Sequence, residues 1–290
     1  MLIHVTGANG QVGKEVMDAV SHLGTVYGTD VDTMDITDAS AVSKTIGNQR
    51  PDVIIHIAAL KGNRPSRDNP TNFISVNTMG TLHLLEASRM YGVSEFIFLS
   101  SLTVHGSSTD PVTEDSIFAP SHPYAASKCA SEVLLQSYAH SYGIRGIAFR
   151  PNFIVGSIKS PTLYTDNIIY DFIQSIMDNN HIELAGVGEY QREWLHPADV
   201  ARAISLSISS KPSGFDAYIL SGHRVTMAQL AGKVINLVGH GSIKTNPHME
   251  GFSLISTDQK AIDQLAWRPE IELDDLIFEI WNEYKSRNQK

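Results

Sequence analysis

The sequence predicts an α/β fold, a doubly wound parallel sheet in its first half followed by a smaller C-terminal substrate-binding lobe. Short β-branched runs alternate with helical stretches as far as residue 150, the pattern of parallel strands joined by crossover helices. One such run, residues 53–58, is apolar almost throughout, as suits a strand covered on both faces. A glycine-rich turn, Thr6-Gly7-Ala8-Asn9-Gly10-Gln11-Val12-Gly13, lies where the first strand gives way to a helix.

The expected strands are residues 2–6, 25–29, 53–58, 96–100 and 146–150. Helices are expected over 13–23, 42–49, 77–91 (apolar at Leu82, Leu85 and Met90) and 124–142. Only four residues separate Asp30 from Asp35, whereas a βαβ crossover needs about a dozen or more. The helix after the second strand is therefore missing, and residues 34–37 are expected to run extended. Beyond residue 151 the alternation fades, with Pro151, Pro161, Pro197, Pro212, Pro247 and Pro269 as punctuation. Late helices are expected at 198–208, 227–238 and 273–285. The expected division is a dinucleotide-binding domain over 1–155, to which a segment near 190–210 returns, and a substrate lobe made mainly of 156–290.

With 290 residues, 42% of them hydrophobic, the chain can bury one large core, or one core with an appended lobe. The formal net charge is -9 and no Lys/Arg run is present, which argues against nucleic acid as a partner. No apolar run approaches the roughly 20 residues that cross a bilayer, and Met1 leads directly into a strand pattern with no room for a signal peptide. The single cysteine, Cys129, suits a reducing compartment. A cytoplasmic protein without a membrane partner is expected. The 12 histidines show no metal-ligand spacing, so no metal is expected.

In a strand–turn–helix setting the three glycines have distinct uses. Gly7 permits the tight turn, Gly10 lets a pyrophosphate reach the backbone, and Gly13 lets helix and strand pack closely. The helix N-terminus adds free N–H groups and a positive dipole end. Asp30 stands 23 positions after Gly7, at the end of the second strand, where a carboxylate binds an adenosine ribose and repels a 2′-phosphate. No arginine stands beside it, so NAD is expected over NADP.

Tyr124 and Lys128 stand four apart, on one face of a helix. A phenol with an ordinary pKa of about 10 is a poor base at neutral pH, and an ammonium one turn away favours its ionised form. Such a pair can take a proton from a hydroxyl while hydride leaves the same carbon, or return one to a ketone. Ser101, at the C-terminal end of an expected buried strand, can hydrogen-bond the same oxygen. His196 is expected to be a structural hydrogen-bonding residue, Cys129 a small buried hydrophobe, and Arg64 and Arg67 part of a polar loop.

Together these motifs resemble the extended short-chain dehydrogenases/reductases, the NAD-dependent epimerase/dehydratase family, over nearly the whole chain. Residues 55–61 (IHIAALK) resemble a strand segment lining the cofactor, and residues 77–81 (NTMGT) an Asn-x-x-Gly-Thr helix start. Residues 98–106 (FLSSLTVHG) resemble the Ser-Ser-x-x-Val-Tyr-Gly strand end, and residues 192–200 (REWLHPADV) the Arg-Asp-x-x-His-Val-x-Asp-Val stretch. The resemblance implies cofactor contacts at Gly7, Asn9, Gly10, Gln11, Val12, Gly13, Asp30, Asp35, Ile36, Ala58, Ala59, Lys61, Asn77, Tyr124 and Lys128. It implies Ser101, Tyr124 and Lys128 as catalytic residues, a sugar-nucleotide substrate whose phosphate lies near Arg192, and a homodimer paired through the two long helices.

Departures from the family pattern bear on the reaction. Leu102 and Thr103 occupy the Asp-Glu positions of the dehydratases, which weighs against a 4,6-dehydratase. In residues 150–156 (RPNFIVG), Phe153 takes the usual asparagine position with Asn152 one residue early, and Val155 replaces a tyrosine. Asn152, Phe153, Arg192 and Ser101 are the substrate-site candidates. Three readings follow: a sugar-nucleotide epimerase or dehydrogenase, an NAD(P)-dependent enzyme acting on a non-nucleotide alcohol or ketone, and a non-catalytic NAD-sensing protein.

Overall fold

The computed structural model describes residues 1–156, 167–209 and 214–288; Pro161 and Pro212 lie outside them. The chain opens with β1 (Leu2–Thr6), α1 (Gln11–Ala19), β2 (Thr25–Thr29), α2 (Ala39–Gln49) and β3 (Val53–His56). Short helices α3 (Asn63–Asp68) and α4 (Pro70–Phe73) lead through a π turn (Ile74–Met79) into α5 (Gly80–Tyr91). Next come β4 (Glu95–Leu99), a 3-10 turn (Leu102–His105), β5 (Ser108–Val112), α6 (Pro123–Tyr142), β6 (Arg145–Pro151) and β7 (Phe153–Ile154). Then follow α7 (Ile168–Asn179), β8 (His181–Ala185), β9 (Gln191–Leu195), α8 (Pro197–Ser209), β10 (Phe215–Leu220) and β11 (His223–Thr226). The chain ends with α9 (Met227–Val238), β12 (Ser242–Asn246), β13 (Leu254–Ser256), α10 (Gln259–Leu265) and α11 (Leu273–Asn288).

Six strands form one sheet in the order β10-β6-β4-β3-β1-β2, and all its pairings are parallel. Side-chain alternation along these strands fills two separate cores. Val53, Ile55, Ile97, Leu99, Ile147 and Phe149 meet α1, α8 and α10 on one face. Ile54, Phe96, Phe98 and Ala148 meet α2, α5 and α6 on the other. Each fully buried residue of this kind contributes roughly 1.5–3 kcal/mol, so the two-faced strands carry the expected apolar runs. The order in which strands are added reverses at β1, flanked by β2 and β3, which opens a crevice at the carboxyl strand ends.

The second lobe has its own apolar core of α7, α9 and α11 side chains around Trp194. A three-stranded sheet, β11-β9-β7, joins it to the main body. Between residues 190 and 220 the chain returns to the large sheet twice: α8 packs on α1, and β10 extends the sheet beside β6.

Three local expectations are corrected. Residues 34–37 do not run extended. The Asp30 carbonyl accepts from the N–H groups of Thr33 and Met34, and the Asp35 carboxylate accepts from Thr37 N and Oγ1 at 2.8 Å each, so the segment folds into turns. The first helix begins two residues earlier, at Gln11 directly after its N-cap Gly10, and yields to a 3-10 turn at Ser21–Leu23. The long helix expected from residue 77 starts at Pro70, where Asn69 Oδ1 caps Asn72 N at 3.3 Å, an Asn-Pro start signal.

Candidate active site

The glycine turn is built as its spacing demands. Gly7 has φ +71°, and a Cβ there would lie 2.7 Å from Ala58 N, so the backbone just after β3 runs hard against it. A Cβ on Gly13 would lie 2.0 Å from Gly7 O; this glycine lets α1 sit on the turn. Gly10 caps α1 with no side-chain bond, and the first turn carries no acidic residue, which leaves the helix end open to an anion. Asp30 Oδ2 accepts from Asn9 N at 3.1 Å, linking the acidic residue to the turn. Val12 is buried. Gln11 is half-buried and has a partner of its own.

Asp35 is exposed beside buried Ile36, whose side chain covers Gly80. Ala58 and Ala59 are half-buried and Lys61 is exposed. Asn77 is 2% exposed and acts as a clamp. Its amide accepts from Leu60 N at 2.8 Å and donates to Leu60 O at 3.0 Å and Ser127 Oγ at 2.9 Å. The loop after β3 is thereby tied to α6. The three glycines and the helix end that no side chain caps fit a dinucleotide pyrophosphate.

On α6, Tyr124, Lys128 and Glu132 form an i, i+4, i+8 stripe. Lys128 is 3% exposed, and its Nζ donates to Leu99 O at 2.7 Å. The same ammonium lies 4.7 Å from the Phe98 ring centroid and 6.0 Å from that of Tyr124. Burial brings the Lys128 pKa down to about 7, against the pull of the Glu132 carboxylate, which raises it. Ser101 follows β4 two residues after Leu99, and its Oγ shares a 2.9 Å hydrogen bond with Thr103 Oγ1. The Lys128–Leu99 bond thus joins the helix bearing Tyr124 to the strand end bearing Ser101.

A buried charge network lies behind this stripe. Glu132 accepts from Ser100 Oγ and pairs with Arg150 at 2.8 Å, both side chains nearly fully buried. Arg150 also donates to Glu114 O at 2.8 Å. Sequence reasoning passed over Glu132, although its spacing one turn beyond Lys128 is a readable signal. Cys129 is buried, with its thiol pushed up to about 12 by burial.

The substrate-side candidates separate. Arg192 lies between the rings of Phe153 (4.8 Å), Tyr190 (5.4 Å) and Phe252 (4.6 Å). Among the described residues its buried Nε has no hydrogen-bond partner and no carboxylate pairs with it. Asn152 is engaged elsewhere, donating to Glu193 Oε2 at 2.8 Å and Leu254 O at 3.0 Å. His196 contacts Glu279 at 2.9 Å and accepts from Ala198 N at 3.1 Å. Arg64 and Arg67 are exposed on α3 rather than in a loop. No group of three or more metal-ligating side chains is present among the described residues.

A parallel sheet with a glycine turn at its switch point, and a Tyr–Lys helix beside the neighbouring strand end, defines a dinucleotide-dependent enzyme of the extended short-chain dehydrogenase/reductase class. The sequence profile of the NAD dependent epimerase/dehydratase family matches residues 3–219, and the chain belongs to that family. It is 29% identical over 248 residues to a UDP-glucuronate 4-epimerase of Thermodesulfobacterium geofontis, covering 83% of this chain and 75% of the relative. It is also 29% identical over 258 residues to a dTDP-glucose 4,6-dehydratase of Streptomyces niveus, covering 87% and 74%. A UDP-glucose 4-epimerase structure from Thermotoga maritima superposes with a TM-score of 0.88 at 24% identity, covering 99% of this chain and 100% of the other. At that identity the likeness shows the fold.

Proposed function

We propose that the chain uses NAD to epimerise or oxidise a sugar nucleotide at a secondary alcohol, with Tyr124, Lys128 and Ser101 as its catalytic residues. Residues 1–155 hold the cofactor, and most of 156–290 holds the substrate. The observation that carries this reading is the buried Lys128 ammonium, held between Leu99 O and the Tyr124 ring.

Gly7, Gly10, Gly13 and the N-terminus of α1 hold the pyrophosphate, and Asp30 accepts from the adenosine ribose; its carboxylate favours NAD over NADP. When bound, the nicotinamide supplies the acceptor and donor of hydride. Tyr124 takes the proton of the reacting hydroxyl and returns one to the ketone. Lys128 favours the phenolate, since a nearby cation stabilises the ionised phenol. Glu132 in turn favours the charged lysine. Ser101 donates to the oxygen on which charge builds.

Arg192 fits a substrate diphosphate. An unpaired, partly buried guanidinium is costly, and phosphate oxygens provide the acceptors it lacks. Trp194, two residues on along β9, also has a buried Nε1 without a partner among the described residues. Leu102 is fully buried and Thr103 is bonded to Ser101, so neither is suited to move a proton at a neighbouring carbon. That favours epimerase or dehydrogenase chemistry over dehydration.

UDP- and dTDP-sugars incubated with the protein and NAD test the reading. Isomerised sugar without net reduced nicotinamide supports the epimerase, and stoichiometric reduced nicotinamide the dehydrogenase. Turnover of a simple alcohol alone, with Arg192→Ala indifferent, overturns the sugar-nucleotide assignment. We further propose a homodimer through α5 and α6, which leave Met90, Val133 and Tyr142 exposed; light scattering at the monomer mass overturns it. The single buried Cys129 suits action in the cytoplasm, which fractionation of the source cells checks.

A further inference from the structure

We infer that His122 is a positioning residue for the Tyr124 phenol, closing the helix turn that bears the tyrosine and holding its ring by stacking. The inference rests on Tyr124 as the acid–base group. His122 occupies the N-cap of α6, with extended backbone angles of φ -155° and ψ 160°. Its Nδ1 accepts from Ala125 N at 3.2 Å, the place in a helix start that a serine or aspartate oxygen usually fills. An imidazole does this only when Nδ1 carries no proton, which puts the proton of the neutral ring on Nε2. Burial and the nearby Arg67 of α3 both lower its pKa, which favours that neutral form.

A serine or asparagine would cap equally well but has no ring. The His122 ring lies parallel to Tyr124, with centroids 6.0 Å apart and planes 3° apart. On another side Phe73 of α4 meets Tyr124 edge-on, at 6.3 Å and 82°. With Lys128 6.0 Å away, the phenol ring is bracketed by three side chains of which only His122 is set by the cap. The same imidazole therefore fixes both where the helix begins and how the phenol lies relative to the lysine.

His122→Asn and His122→Ser keep a cap acceptor and remove the ring, so helix stability is expected to hold. If the ring positions the phenol, kcat should fall about tenfold or more, with KM changed by less than about twofold, because small misplacements of a catalytic group act on the chemical step. The phenolate of Tyr124, read as the tyrosinate absorbance that Tyr124→Phe abolishes, should form at higher pH in both variants. Wild-type kcat together with a wild-type phenolate titration in either folded variant overturns the inference. The titration needs no substrate. If the wild-type enzyme turned over no sugar nucleotide, the function above would fall, while the titration would still decide the role of His122.

Discussion

At the scale of single residues, the proposed chemistry depends on one buried cation, Lys128, being kept charged. Tyr124→Phe keeps the ring contacts and removes the proton, so kcat should fall on the order of 10²–10⁴-fold while NAD affinity is retained; equal kcat in a stopped-flow assay would refute the acid–base role. Glu132→Gln removes the carboxylate that raises the Lys128 pKa, so the lysine should lose its proton at lower pH and activity should fall off at lower pH on the alkaline side. The same change strands Arg150, since removing one partner of a buried pair costs roughly 3–5 kcal/mol. Chemical unfolding of that variant measures the cost directly. Tyr124, Lys128 and Ser101 could be proposed from residue type and spacing, and the fold brings the Lys128 ammonium beside the Tyr124 ring and the strand end that precedes Ser101. His122 and Glu132 were not singled out, because a cap acceptor and a buried counter-charge gain their meaning only from what they touch.

Elements set how well those residues are held. In Gly13→Ala the new methyl would lie 2.0 Å from Gly7 O, so α1 must move off the turn. The expected outcome is a loss of roughly 1–3 kcal/mol or more in stability, together with weaker NAD binding by calorimetry. The three-stranded sheet depends similarly on Glu193, which is 1% exposed. It accepts from Asn152, from Arg224 at 2.7 Å and from Ser256 N at 3.1 Å, binding β9 to β11, to β13 and to the residue between β6 and β7. Glu193→Ala should cost about 3–5 kcal/mol, as for other charges removed from buried pairs, and unfold the second lobe first in hydrogen exchange. The parallel strands of the first half were readable from their apolar runs. The short strands of the lobe were not, since β7 has two residues and β13 three, too few for any period to show.

The whole molecule carries two opposed pH dependences. His56 is fully buried among Thr6, Thr81 and the Phe96 and Phe98 rings, and burial lowers its pKa to about 3 from 6.5. The folded state then binds fewer protons than the unfolded chain, so this contribution is present above pH 6.5 and is lost as pH falls from there toward 3. Glu95 has the opposite sign. Burial outweighs its pairing with Arg145 and raises its pKa from 4.5 to about 7, so its contribution falls as pH rises through that window. Glu95→Gln should therefore gain thermal stability over wild type progressively from pH 4.5 to 7 and level off above it. A constant difference in Tm would show that Glu95 is already ionised throughout.

Among the described residues no strand pairs with β2 on its outer side, and three of its five residues are exposed. An unpaired rim of backbone amides and carbonyls can be extended by another molecule, the first step of intermolecular β-aggregation. Here the rim is short and is followed by Asp30, Asp32, Asp35 and Asp38, whose like charges repel an approaching copy. Salt screens repulsion between exposed charges, so this guard should weaken and self-association through the rim should rise as ionic strength increases.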